Sequence, residues 1–123
     1  MIKSRGEIED DISRAIVQFE KEYMGRGPSE VKTHIFEDMI LVRLKGVLTR
    51  AEQKLISDKN GIELIKKLRA ALLENAKEPL CEGIKQLTGL DVITFHTDIS
   101  TVSGEKVIIF TVSENLEKKL EKS

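Results

Sequence analysis

The run from Ile62 to Thr88 constrains this chain more than any other stretch. Ile65, Leu68, Leu72, Ala76, Leu80, Ile84 and Leu87 recur at intervals of three or four residues, the spacing that brings side chains onto one face of an α-helix. The phase continues through Pro79, although an interior proline deletes a backbone donor and crowds the preceding turn. One helix kinked near Pro79 accounts for both facts, whereas two unrelated helices would have no reason to share a phase. Unbent, it would span roughly 40 Å, while a compact chain of 123 residues has a radius of gyration of about 14 Å. The helix must therefore bend or project into a partner.

The remaining segments must pack around that rod. Ser4-Arg5-Gly6-Glu7 has the S-x-x-E spacing of a capping box, so a helix starts there, with Ile8, Ile12, Ala15, Ile16, Phe19 and Tyr23 on its inner face. Glu20-Lys21-Glu22 reads as solvated helix surface. Gly25 and Pro28 stop the helix. Val31, Thr33 and Ile35 alternate with Lys32 and His34, and Ile40, Val42 and Leu44 alternate with Arg43 and Lys45; two antiparallel strands joined through Glu37-Asp38 satisfy both patterns. Thr49-Arg50-Ala51-Glu52 repeats the capping-box spacing and opens a short helix to about Ser57, after which Asp58 to Gly61 reads as a loop.

Downstream of Gly89, Leu90 to Ile99 is predicted as a third strand, with Ile93, Phe95, Thr97 and Ile99 on one face. Val92, Thr94, His96 and Asp98 fall on the other. Lys106 to Ser113 is apolar on both faces, which fits a central strand or one covered by another subunit. Ser113-Glu114 caps a last turn or two bearing Leu116 and Leu120. The order α-β-β-α-α-β-β-α predicts one α+β domain over residues 1–123, with a four-stranded, mainly antiparallel sheet and helices on one face.

Within this framework, Gly25-Arg26-Gly27-Pro28, Gly46-Val47-Leu48-Thr49 with Glu52, Arg69 in the long helix, and Thr88-Gly89 ahead of Val92 and Phe95 form an ordered series. The chain resembles the MpsC-like family, named for a component of a Na+-translocating, membrane-potential-generating system. The likeness runs from the first helix to the strand near Phe110. It carries no catalytic residues onto this chain. What the resemblance implies is a soluble accessory or regulatory role beside membrane-protein partners.

The residues themselves offer few sites. Arg26 between two glycines could form an anion-binding nest, but the segment matches no Walker or Rossmann spacing, and a helix-to-strand turn with a solvated arginine explains it more simply. Arg69, set among Leu68, Ala70, Ala71, Leu72 and Leu73, should have a covered stem and an ion-pair partner, with ligand binding as the alternative. Arg26, Gly27, Arg43 and Arg69 are therefore the candidate anion-binding or interaction residues, and a shared site of the three arginines is the expectation to check. No catalytic group, metal or cofactor is expected. His34 and His96 lack pair spacing, and Cys81 is a lone helix cysteine that also excludes a disulfide framework.

Twenty Lys and Arg against 21 Asp and Glu give a net charge of -1, which lacks the signature of a duplex-DNA or anionic-membrane binder. No apolar run approaches the roughly 20 residues that cross a bilayer, so direct membrane insertion is not expected. Single-cysteine usage fits a cytoplasmic setting. The leading expectation is a non-enzymatic, cytoplasmic, homodimeric accessory domain. Two alternatives are a nucleic-acid module using Lys32, Arg43 and Lys45, disfavoured by 4% aromatics, and a small-anion sensor using Arg26, Arg43 and Arg69.

Overall fold

Ser4 accepts from the Glu7 N–H while the Glu7 carboxylate accepts from the Ser4 N–H, and from this reciprocal cap helix α1 (Arg5–Tyr23) sets out as its sequence requires. The computed structural model describes residues 3–121. After α1 come strands β1 (Glu30–Phe36) and β2 (Met39–Lys45), then helices α2 (Arg50–Leu55) and α3 (Lys59–Thr88). Strands β3 (Val92–Ile99) and β4 (Lys106–Val112) and helix α4 (Leu116–Glu121) complete the order. The class is α+β, with a four-stranded antiparallel sheet in the order β1-β2-β4-β3.

Strand alternation decides where the core lies. Ile35, Ile40 and Phe110 fall in one cross-strand row, and Thr33, Val42 and Ile108 in the next; these side chains face α1, α3 and α4. Ile12, Ile16, Ala76 and Ile84 meet them from the helices. Full burial of each large aliphatic or aromatic side chain contributes about 1.5–3 kcal/mol. β4 is a central strand, and its two-sided apolar character follows: Ile108, Phe110 and Val112 enter the core while Val107 and Ile109 stand half-buried on the opposite, helix-free face.

The hairpin between β1 and β2 has a two-residue turn, with Phe36 opposite Met39 and Glu37 taking the left-handed φ of 56°. The edges are blunted. On β1 the Ile35 N–H donates to the Glu9 carboxylate of α1 at 2.8 Å, and on β3 the register shifts between Val92 and Thr94 in a bulge at Ile93.

Several expectations need correction. Asp58 to Gly61 is not a loop: Asp58 caps α3 by accepting from the Gly61 N–H, and the helix is already under way at Lys59. Gly61 is required where α3 meets α2, because a Cβ there would lie 1.8 Å from the Leu55 carbonyl oxygen. Leu68 is not a core residue. It is 52% exposed while Arg69 is 8% exposed, so the buried stripe runs Gly61, Ile65, Arg69, Ala76, Leu80, Ile84, Thr88. Glu20 is not solvated surface but fully buried. The bulge turns Val92 inward and leaves Ile93 exposed, against the predicted alternation. Asn115, rather than Ser113, accepts from the Lys118 N–H at the start of α4. Through Pro79, α3 is unbroken over 30 residues.

Candidate functional site

Two buried ion pairs bracket one end of the inner sheet face. In the first, Arg69 of α3 reaches the capping residue of α2: its Nε donates to Glu52 Oε2 and its Nη2 to Glu52 Oε1, both at 2.8 Å. Nη2 also donates to the Val47 carbonyl at 3.0 Å. Glu52 accepts from the Thr49 N–H as well, so the capping box and the fork-on-fork pair share one carboxylate. Burial on its own would raise the Glu52 pKa, but the Arg69 bonds and charge and the Thr49 N–H outweigh it and hold the carboxyl below its ordinary value.

In the second pair, Lys106 of β4 donates to Glu20 Oε2 of α1 at 2.9 Å, with Lys106 only 6% exposed and Glu20 wholly enclosed. The sequence held a signal for both. Glu20 lies four residues beyond Ile16 on the buried stripe of α1, and Lys106 precedes Ile108, Phe110 and Val112 at the inward phase of β4. Charge makes Glu20 read as surface, and Lys106 reads only as the first residue of a two-sided apolar strand.

Between the pairs lies a half-open cavity of about 290 Å³, walled by Arg69 and Leu73 of α3, Thr97 and Ile99 of β3, Lys106, and Met24 after α1. Among the described residues, three buried side-chain polar atoms lack a hydrogen-bond partner: Arg69 Nη1, Thr97 Oγ1 and Glu20 Oε1. The first two belong to walls of this cavity, and the third to the carboxylate that holds the Lys106 ammonium.

The candidate arginines divide. Arg26 Nη1 donates to the Leu48 carbonyl at 2.9 Å, so Arg26 and Arg69 hold neighbouring carbonyls of the Val47-Leu48 segment. Gly27 sits beside the Lys21 side chain, whose Cε would be 3.0 Å from a Cβ at that position. Arg43 lies on the helix-free face, where its Nε and Nη2 both donate to Glu105 Oε2 at 3.0 and 2.8 Å, and this contact raises its pKa. The structure thus joins two of the three arginines through one segment and leaves Arg43 on the other side of the sheet. Lys32 and Arg43 are cross-strand neighbours, as are Glu30 and Lys45, so three bases and one acid share that corner, with Glu30 on Lys45 and Glu105 on Arg43.

His34 and His96 occupy the two ends of one row, His34–Leu41–Ile109–His96, three strand spacings or roughly 14 Å apart. That separation is too great for one metal ion to bridge. The Cys81 thiol is half-buried on α3, and burial pushes its pKa up despite Lys77 nearby, which keeps it in the unreactive thiol form. No helix among the described residues is long and apolar enough to cross a membrane.

A family model described as "Na+-translocating membrane potential-generating system (MpsC)" matches residues 4–114. Similar proteins include Uncharacterized protein YbcI of Bacillus subtilis (strain 168), 48% identical over 122 residues, covering 99% of this chain and 98% of the relative. Uncharacterized protein YrhF of the same organism is 25% identical over 107 residues, covering 86% of this chain and 88% of the relative. No solved structure matches.

Proposed function

The chain belongs to the MpsC family, and from that membership we propose that it is a non-enzymatic accessory or regulatory domain of a Na+-translocating, membrane-potential-generating system, acting as a homodimer. The family match supports the setting. The observation that carries the dimer is the helix-free face of the sheet, where Met39, Leu41, Val107 and Ile109 form a half-buried centre between exposed Phe36 and Ile93. Strands of seven or eight residues in a sheet of four give a footprint of roughly 450 Å² in flat projection, more as accessible surface. A stable dimer uses about 800 Å² of accessible surface per partner.

The charges on this face suit a second copy. Lys32, Arg43, Val107 and Asp98 make one row across the sheet. A two-fold axis running along the strands between two stacked faces sets β1 over the partner's β3 and β2 over the partner's β4. Lys32 of each copy then meets the other's Asp98, and Leu41 meets Ile109. Stacked sheets pack with strands nearly aligned, which this arrangement respects. The membrane partners would be met by surfaces outside this pair.

Light scattering during size-exclusion chromatography tests the dimer. Lys32→Glu and Asp98→Lys should each shift the wild-type dimer toward monomer by opposing like charges, and the double variant should recover it. A wild-type monomer at micromolar concentration would overturn the reading, as would single reversals that leave the dimer untouched. The accessory role is checked separately by copurification with the system's detergent-solubilised membrane subunits, and absence of the chain from that complex rejects it.

A further inference from the structure

We propose that the cavity between α3 and the Lys106 end of the sheet is a binding site for a small organic monocarboxylate with a short apolar tail. All three unpartnered buried side-chain polar atoms of the described residues belong to its walls or to the ion pair behind one of them. Elsewhere the described chain satisfies such groups, as folded proteins generally do, so the clustering points to this one place.

The chemistry of the walls selects the ligand. Arg69 has committed Nε and Nη2 to Glu52 and Val47 and keeps Nη1, which can only donate. The Lys106 ammonium carries three donors and gives one to Glu20. Thr97 adds a hydroxyl. Glu20 Oε1 is an unpartnered acceptor, but Glu20 is not among the cavity walls; donors therefore prevail on the walls themselves, and a carboxylate offers the two acceptor oxygens that match them. Met24, Leu73 and Ile99 make the remainder apolar. Water alone suits this poorly: about ten molecules would fill 290 Å³, most of them against walls that return no hydrogen bond. The volume is at the small end of ligand pockets, which are about 300–1,000 Å³. Exposed Lys66 and Asp98 also border the cavity and offset one another, so selection rests on the buried groups.

Titration of the full chain with butyrate, hexanoate, butyramide and inorganic phosphate, followed by amide NMR shifts, tests the site. Butyrate or hexanoate at millimolar concentration should move Thr97, Ile99 and Lys106, and should bind at least about tenfold more tightly than butyramide or phosphate. Thr97→Val removes one hydroxyl without touching either ion pair and should weaken binding by about tenfold; Thr97→Ser should retain it. Ala70→Phe, placed on the cavity wall, should abolish it. The proposal is overturned if neither acid shifts these residues, if the amide or phosphate binds as well, or if Thr97→Val binds unchanged. Because the dimer is read by light scattering and involves the opposite sheet face, with exposed Asp98 the one residue common to both, failure of one proposal leaves the other standing.

Discussion

Glu52 does two jobs with one carboxylate, closing the α2 cap and neutralising Arg69. Its pKa is depressed in the folded chain from an ordinary value of 4.5. The stabilisation is therefore fully present above about that pH, where the unfolded chain is also ionised, and is lost as pH falls through the lower folded value. Glu52→Gln should flatten this acid limb in urea titrations. It should also cost about 3–5 kcal/mol at neutral pH, because it strands a buried guanidinium. An acid limb unchanged in the variant would show that other carboxylates set it. Arg69 was legible as a covered arginine seeking a carboxylate, since its neighbours are leucines and alanines. Which carboxylate it meets was not, because Glu52 is 17 residues away and only the packing of α2 on α3 brings them together. Leu68 looked like core because hydrophobicity outranks Arg in any periodic reading, yet the ion pair holds Arg69 inward and leaves Leu68 in solvent.

The elements were largely readable because each carries its own start and stop. Both capping boxes were visible as S/T-x-x-E spacings, and Gly89 closes α3 in the left-handed conformation with its N–H on the Lys85 carbonyl. Asp-Lys-Asn-Gly was misread because composition resembles a turn, whereas Asp58 is a cap and Gly61 answers to the approach of α2. The bulge at Ile93 left no trace in the alternation, since it is a matter of pairing between strands. Pro79 lies on the exposed side of a helix that continues past it, and the Asn75 carbonyl four residues earlier loses its usual donor. Pro79→Ala should restore that donor and stabilise the fold, by up to about 3 kcal/mol, measured by chemical denaturation. A destabilised variant would mean that core packing depends on a bend set by the proline.

At the scale of the molecule, helices cover one face of the sheet and leave the other to a second copy in our reading. A dimer of this kind makes thermal stability depend on protein concentration. The melting temperature of the wild type should rise across a hundredfold dilution series taken upward, and Ile109→Arg should remove the dependence while keeping a cooperative transition. A wild-type melting temperature independent of concentration would contradict the assembly. The cavity was beyond reach of the sequence for a simple reason: Met24, Arg69, Thr97 and Lys106 come from four separate segments and share no motif. The two edges of the sheet carry a last consequence. With the Ile35 amide occupied by Glu9 and the other margin distorted at Ile93, neither side offers a clean template for an added ribbon. Sideways addition of copies finds no clean start at either margin, so the stacked pair we propose would stop at two and have no ready route to fibres.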